Sequence, residues 1–353
     1  MTALAGALPA SSVRFSVPDG SDAQRPPERR GLSRDDVRLL VVSPTSTVHR
    51  RFRDLPEHLG PGDLLVVNTS ATVPAAVDAT TSDGSVQPLH VSTSLDDGDW
   101  VVELRTAGNS GPDRGTLDGQ ELTLPGGVLL RLGAPYPDEV ESAPRLRRAT
   151  PVPPVTRVTY LQRHGRPIRY GYVDDAYPIE DYQTVYASVP GSAEMASAGR
   201  PLTERLLVEL ISRGVTVAPV VLHAGVSSPE AHEPPMAEWF EVPPDTARLV
   251  CSARRAGRRV VAVGTTVTRA LESATSPHGC VHATSGWTHL VLGPDRPARV
   301  VNGLITGLHA PEASHLLLLE AVAGRALLSA AYEAAVEERY LWHEFGDSTL
   351  FLP

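Results

Sequence analysis

A glycine followed by two threonines separates an apolar run from a helical pattern, at Gly264, Thr265 and Thr266. The run at 260–263 is typical of a buried strand, and the residues after 266 have helical spacing. Glycine lets a ligand approach the backbone closely. Hydroxyls and free N–H groups at the start of a helix suit a carboxylate, a ribose or a phosphate. A plain helix N-cap is the alternative interpretation.

A second segment, residues 190–201, is rich in small residues and includes Gly191, Ser192, Ala198 and Gly199. Small side chains leave the backbone open to a ligand. A surface loop is the alternative interpretation, because loops are commonly built from the same residues.

Titratable residues follow further along the chain. His223 stands after an apolar run, and a histidine at the carboxyl end of a strand is placed for acid–base chemistry near pH 7. Glu238 precedes Trp239, and a carboxylate beside aromatic rings suits an adenine or a sulfonium cation. His309 lies in a loop before a long helical pattern, and Asp347 follows a glycine, where it can close over a site or cap a turn. Purely structural roles are the alternative for each.

The elements that must position these residues alternate between strands and helices. We predict a helix over 203–213 with Thr203 as its N-cap, because residues 206, 207, 210 and 211 are apolar. Strands are predicted at 215–222, 258–263 and 288–292, and residues 314–339 are largely helical in pattern. This alternation predicts an α/β domain with a mostly parallel sheet, in which ligands gather at the carboxyl ends of strands.

Between about 70 and 150 the pattern changes to short alternating runs separated by Gly, Asp and Pro turns. Closely spaced short strands without helices indicate a small β-barrel or sandwich. We therefore expect a flexible lead-in at 1–33, an α/β domain at 34–69 and 151–353, and a β-barrel domain at 70–150.

Composition excludes some classes of function. The 353 residues include no lysine, so Schiff-base catalysis by a protein lysine and a Walker-A phosphate loop are excluded. The net charge of −9 gives no support to a nucleic-acid partner, although a local arginine patch is sufficient for one. The two cysteines and the histidines lack metal-ligand spacing, so no metal is expected. The apolar runs are too short to span a bilayer, and we expect a cytoplasmic protein that does not enter membranes.

In this order and spacing, the segments resemble the S-adenosylmethionine:tRNA ribosyltransferase-isomerases of queuosine biosynthesis. The resemblance runs from about residue 34 to 351 and is specific from 182 onward. The matching residues are 62–68, 73–75, 182–187, 190–192, 198–199, 222–223, 225, 238, 263–266, 269, 271–273, 303–306, 309, 311, 321, 323–324, 331–332, 334–340 and 346–347.

The resemblance implies an α/β domain that binds S-adenosylmethionine and carries an inserted β-barrel. It also implies a reaction in which S-adenosylmethionine, as a substrate, donates its ribosyl carbons to the aminomethyl group of a 7-deazaguanine in tRNA. The product is epoxyqueuosine, and adenine and methionine leave. A base must first remove an acidic C5′ proton beside the sulfonium, and the protein is expected to be a monomer or a small homo-oligomer.

Residue by residue, the resemblance implies proton transfer by His223 and His309, and binding of the ribose hydroxyls or the sulfonium by Glu238. The substrate-binding residues that it implies are Asn68, Tyr186, Gly191, Ser192, Ala198, Gly199, Gly225, Gly264, Thr265, Thr266, Arg269 and Asp347.

The chain departs from the family pattern at several positions. Pro201 and Met236 stand where the family has histidines, and Ala71 and Ala76 stand where it has arginines. Residues 166–173 have no counterpart in the pattern. These losses remove contacts suited to phosphate binding or proton transfer.

Three interpretations follow. In the first, the enzyme still modifies tRNA, and Arg166, Arg169 and Arg200 supply the lost contacts. In the second, it is a paralogue that uses S-adenosylmethionine with a different acceptor, such as a small molecule. In the third, it is a non-catalytic protein that binds a nucleotide or RNA.

Overall fold

The structure is a computed structural model that describes residues 11–115, 119–137, 145–226, 235–311 and 313–353. Its strands are β1 Arg38–Ser43, β2 Ser46–Arg51, β3 Leu64–Asn68, β4 Ser70–Thr72, β5 Ala76–Thr80, β6 Val86–Ser94, β7 Trp100–Leu104, β8 Glu121–Thr123, β9 Leu129–Pro135, β10 Leu146–Val152, β11 Val189–Ser192, β12 Thr216–Leu222, β13 Glu238–Val242, β14 Val260–Val263, β15 Thr284–Thr288, β16 Gly303–Gly307 and β17 Ser348–Phe351. Its α-helices are α1 Arg157–His164, α2 Glu204–Ser212, α3 Pro244–Arg255, α4 Thr265–Ser273, α5 His315–Ala323 and α6 Arg325–Glu337. Short 3-10 helices lie at Pro27–Arg30, Arg34–Asp36, Phe52–Glu57, Pro125–Gly127, Ile179–Tyr182 and Ser197–Gly199.

A nine-stranded sheet with the order β15-β13-β12-β3-β14-β16-β17-β1-β2 forms the centre of the fold. The pairs β12–β3, β3–β14, β14–β16 and β17–β1 are parallel. The remaining neighbours are antiparallel. The predicted α/β class is confirmed, but the sheet is mixed rather than mostly parallel. At one edge the reason is local, since the short hairpin between Ser43 and Ser46 permits only antiparallel pairing of β1 with β2.

Strands β5 to β10 form a closed barrel with the order β10-β7-β6-β5-β8-β9, and all of its neighbouring pairs are antiparallel. The interior contains apolar side chains such as Val77, Leu89, Trp100 and Leu130. A separate pair, β4 and β11, joins the chain just before the barrel to a segment that lies after it. This pairing places the barrel beside the sheet edge on which the candidate site lies.

The helices follow their sequence signals closely. The Thr203 hydroxyl accepts a hydrogen bond from Leu206 N at 3.2 Å, so the predicted N-cap of α2 is confirmed. The predicted helical stretch at 314–339 is two helices that meet at Gly324, whose φ is +76°. Among the described residues no single helix is long and apolar enough to cross a membrane, and α5 with α6 reach that length only as a pair bent by 120°.

Residues 11–33 pack on the body of the protein, which differs from the expected flexible lead-in. Val13 is 3% exposed and belongs to the main core, and the Ser12 hydroxyl donates to Glu320 at 2.7 Å. Ala23 N donates to the Trp342 carbonyl at 3.1 Å. Burial of apolar side chains offsets the entropy of ordering this segment. Residues 1–10 lie outside the described residues.

Candidate active site

The carboxyl ends of four neighbouring strands, β12, β3, β14 and β16, meet at one edge of the sheet. Asn68, the last residue of β3, is buried at this edge and ties its neighbours together. Its amide nitrogen donates to the Leu222 carbonyl at 2.8 Å and to the Thr266 hydroxyl at 3.4 Å. Its amide oxygen accepts from Leu222 N and Ser70 N at 3.0 Å each. Because these bonds use most of its polar capacity, Asn68 orders the edge on which a ligand is expected to lie.

His223 stands directly after β12 and begins a chain of short hydrogen bonds. Its Nδ1 lies 2.7 Å from the Ser70 hydroxyl, which lies 2.7 Å from the Ser192 hydroxyl. Ser192 also accepts from Ala224 N at 3.0 Å. Burial and the nearby Arg157 guanidinium lower the pKa of His223 to about 4. The imidazole is therefore neutral at pH 7 and able to accept a proton.

Two neighbours fix the plane of the His223 ring. The ring stacks on Trp239 with centroids 5.4 Å apart, and a Cβ at Gly191 would collide with it from another side. The buried Arg157 donates to the Gly191 carbonyl at 3.0 Å and to the Ser92 carbonyl at 2.9 Å. The predicted residues Gly191 and Ser192 are thus brought together with His223, and Gly191 is required because no side chain fits there.

Glu238 and Arg269 form a buried ion pair beside this group. Gly225 N donates to Glu238 Oε1 at 3.3 Å, and burial raises the pKa of Glu238 while Arg269 opposes the shift. The Arg269 guanidinium also donates to the carbonyls of Met236 at 3.0 Å and Thr288 at 3.3 Å. Arg269 is expected from the sequence to hold a polar end of the substrate, but in the structure its donors bind protein groups, so it positions Glu238.

The loop of small residues lies against the glycine turn that begins α4. Gly264 has a φ of +96°, a conformation that favours glycine, and Thr265 is the first residue of the helix. A Cβ at Gly264 would lie 3.4 Å from the Ala198 Cβ, and a Cβ at Gly199 would collide with the Tyr186 hydroxyl. One wall of the candidate site is therefore formed by six predicted residues, namely Tyr186, Ala198, Gly199, Gly264, Thr265 and Thr266.

His309 follows β16, at the other end of the same edge. Its Nε2 lies 3.0 Å from the Thr306 hydroxyl, and its ring stacks on His315 with centroids 4.6 Å apart. Burial, then the neighbouring His315 and His343, lower the pKa of His309 well below its usual value. Since β3 and β14 stand between β12 and β16, about 14 Å separates the strands that carry His223 and His309. The two predicted proton-transfer histidines are not adjacent.

The side chains of Asp347 and Arg200 both form hydrogen bonds within the protein. Asp347 accepts from Arg38 N at 2.7 Å and from Leu341 N at 2.8 Å, which holds the last loop against β1. Arg200 is 2% exposed and donates to the Asp181 carbonyl at 2.8 Å and to Glu28 at 3.0 Å. The expectation that Arg200 contacts RNA is therefore wrong, because its guanidinium is buried and paired.

Sequence reasoning missed three residues at this edge: Ser70, Arg157 and Glu344. Burial and the nearby Glu194 carboxylate raise the pKa of Glu344 to about 8, so this side chain is mostly protonated at pH 7. It lines a narrow pocket that also contacts Ala198. None of the three stands in a recognisable motif, and only their spatial neighbours reveal them.

Two partly buried histidines, His223 and His315, predict a loss of stability in weak acid. The folded pKa values of His223 and His315 are both about 4, below the ordinary 6.5, so the unfolded chain binds more protons between those limits. We expect the free energy of unfolding to fall between pH 7 and pH 5 by on the order of 2 kcal/mol per histidine, less where solvent screens the ring. Urea unfolding at the two pH values measures it, and His315→Gln should reduce the dependence. Equal stability at pH 7 and pH 5 would contradict the assignment.

Comparisons with known proteins identify the family of the chain. A family model described as queuosine biosynthesis protein matches residues 10–351. The S-adenosylmethionine:tRNA ribosyltransferase-isomerase of Heliobacterium modesticaldum is 35% identical over 351 residues, which cover 96% of this chain and 98% of that protein. The Thermus thermophilus protein of the same name is 36% identical over 349 residues, covering 94% and 98%.

A crystal structure of the S-adenosylmethionine tRNA ribosyltransferase from Thermotoga maritima is similar with a TM-score of 0.53 and 29% sequence identity. The match covers 97% of this chain and all of that one. Since both the family model and these relatives extend over nearly the whole sequence, the chain belongs to the queuosine biosynthesis protein family.

Proposed function

We propose that the protein is an S-adenosylmethionine:tRNA ribosyltransferase-isomerase. It transfers and isomerises the ribosyl group of S-adenosylmethionine onto 7-aminomethyl-7-deazaguanine in tRNA, gives epoxyqueuosine and releases adenine and methionine. One observation carries the proposal: in a chain of this family, a neutral, partly buried His223 is oriented by Ser70 and Ser192 at the carboxyl edge of the sheet. Such an edge is where ligands bind in α/β folds.

In this proposal S-adenosylmethionine lies along the carboxyl ends of β12, β3 and β14. The backbone at Gly264 and the hydroxyls of Thr265 and Thr266 face its polar groups, since free N–H groups begin α4 there. Glu238 balances the sulfonium charge or binds the ribose hydroxyls from beside Gly225. Ala198 and Gly199 supply a wall without bulky side chains.

The chemistry begins when a base takes the C5′ proton beside the sulfonium. A neutral imidazole is able to take this proton, which turns the sulfonium into a neutral ylide, and we assign such a step to His223. The ribose ring then opens and its carbons close to an epoxy-cyclopentanediol, while adenine leaves with a proton and methionine leaves as the thioether. The aminomethyl nitrogen of the deazaguanine forms the new C–N bond to this group and gives up a proton. His309, near the end of β16, is proposed as a second proton-transfer residue or as an orienting residue. The scheme uses acid–base groups and requires no metal.

The same proposal extends to the organisation of the chain. Residues 34–69 and 151–353 are proposed to form the unit that binds S-adenosylmethionine, with residues 70–150 as an inserted barrel unit and 1–33 as its lead-in. The substrate tRNA places the protein in the cytoplasm, as a monomer or small homo-oligomer.

The test measures adenine and methionine by liquid chromatography with mass detection. The protein is incubated with S-adenosylmethionine alone, with a small 7-aminomethyl-7-deazaguanine, and with tRNA that carries this base. We expect release of adenine only with the tRNA, together with a matching mass increase of the RNA. Release with the small acceptor alone would instead indicate the paralogue, and binding without any turnover would show that the protein is not an enzyme of this kind.

A further inference from the structure

A groove of about 410 Å³ lies between the barrel and residues 166–182, the segment that includes the stretch without a counterpart in the family pattern. We propose that this groove seats one nucleotide of RNA beside the nucleotide that is modified, with its phosphate at Arg169 and its base against Tyr177. This inference rests on the proposed function, because it locates part of the tRNA acceptor.

The groove has the size and lining of a small-ligand site. Its volume is within the range of pockets that hold small molecules. Side chains able to bind a base or a phosphate line it together with prolines and small residues: His90, Asn109, Arg166, Arg169, Tyr177 and Tyr182. Single-stranded RNA is bound by this combination of cationic groups and aromatic faces.

Arg169 is the free cation of the groove. Its side chain is exposed, and within the described ranges no residue forms an ion pair or a side-chain hydrogen bond with its guanidinium. By contrast, Arg166 is paired with Asp78 at 2.5 Å, and Arg200 is buried elsewhere. Of the three arginines expected from the sequence to contact RNA, Arg169 is therefore the one that has no carboxylate partner among the described residues.

The floor of the groove contains a buried cluster of charged side chains. His90 lines it and has its Nδ1 3.6 Å from the Glu103 carboxylate, which is too far for a hydrogen bond. Glu103 itself is bound by Arg105 at 2.6 Å and by Arg145 at 2.7 Å. Asp175 also lines the groove, so the phosphate is placed at Arg169, an exposed cation of the lining that has no ion pair with a described residue.

Strand β6 connects the groove to the candidate active site. His90 lies in the groove, and two residues further along the Ser92 hydroxyl accepts a hydrogen bond from Val226 N at 3.0 Å, next to Gly225. Two residues of a strand span about 7 Å. That distance is the reach of one nucleotide in an extended strand, so a nucleotide in the groove can be covalently continuous with one at the site.

The Tyr177 ring provides a face for the base. Its hydroxyl donates to Asp174 at 2.6 Å, which holds the ring at the wall of the groove while its side chain remains partly exposed. Base–aromatic stacking tolerates different bases. The groove is therefore expected to add affinity for RNA with little preference for the identity of the neighbouring base.

The test compares Arg169→Ala with Arg163→Ala, a matched control because Arg163 is an exposed arginine on α1 outside the groove. We expect Arg169→Ala to raise the Kd and the KM for the tRNA about tenfold, with unchanged kcat and unchanged S-adenosylmethionine binding. The slope of log Kd against log salt should fall by roughly 0.7–0.9, the share of one phosphate. Arg169→Lys should restore most of the affinity, because a lysine also binds a phosphate as a point charge.

Filter binding and steady-state kinetics with the aminomethyl-deazaguanine tRNA give these values. An Arg169→Ala protein that binds tRNA with the same affinity and salt slope as Arg163→Ala overturns the groove as an RNA site, even if the wild type modifies tRNA. Absence of tRNA-dependent turnover by the wild type refutes the proposed function instead, and the binding comparison still decides on the groove.

Discussion

Replacement of His223 by alanine is expected to lower the rate of adenine release by about 10²–10⁴-fold, the usual contribution of a positioned proton-transfer group. The ring lies 2.7 Å from Ser70 and is neutral at pH 7, so its loss removes a group able to accept a proton at the sheet edge. The measurement is single-turnover release of adenine with saturating substrates. His278→Ala is the control, because this histidine is exposed on a distant turn.

A second variant separates chemistry from folding. His223→Asn keeps a polar atom able to bond the Ser70 hydroxyl but cannot transfer a proton near pH 7, so it should be as slow as the alanine variant while remaining folded. In the wild type, activity that depends on neutral His223 should be flat across neutral pH and fall only as the pH approaches the pKa of about 4. Near-normal release by His223→Asn would refute the assignment.

Replacement of Arg269 by alanine is expected to reduce the free energy of unfolding by about 3–5 kcal/mol. The change leaves Glu238 buried without its cation and removes donors from the carbonyls of Met236 and Thr288. Unpaired buried polar groups carry a large desolvation cost. Chemical denaturation of both proteins measures the difference.

Arg248→Ala is the matched control, because Arg248 forms an ion pair with Asp245 on the protein surface and both side chains are largely exposed. An exposed pair of this kind contributes about 0–1 kcal/mol. Adding Glu238→Gln to Arg269→Ala should recover part of the lost stability, since it removes the uncompensated charge. If Arg269→Ala and Arg248→Ala lowered the free energy of unfolding by the same amount, the buried pair of Arg269 and Glu238 would contribute no more to stability than an exposed pair.

Local signals made part of the fold predictable. The turn at Gly264 and the N-cap at Thr203 each depend on residues within a few positions, and both are present as expected. The short alternating runs expected between about 70 and 150 are present as the barrel strands, among them β6, β7 and β9, for the same reason. The spacing of apolar residues and the residue types that form turns are local features. They can therefore be recognised in a single sequence.

Contacts between distant residues could not be predicted in this way. Ser70 and His223 are 153 positions apart, and nothing around Ser70 marks it as a partner of a histidine. The predicted strand at 288–292 is also wrong, because β15 is Thr284–Thr288, a register set by pairing with β13. Likewise Arg200 lies in a loop of small residues that suggests exposure, and only its contact with the N-terminal Glu28 shows that it is buried.

The pairing of β1 with β17 has a consequence for synthesis on the ribosome. The first strand of the sheet has the last strand as its parallel neighbour, and β3 lies between β12 and β14. The sheet therefore cannot be completed until residues 348–351 have emerged, whereas the barrel needs only the chain up to Val152. Since nearby segments pair faster than distant ones, the barrel and the β1–β2 hairpin are expected to form first, while β3 remains unpaired until β12 and β14 have been made.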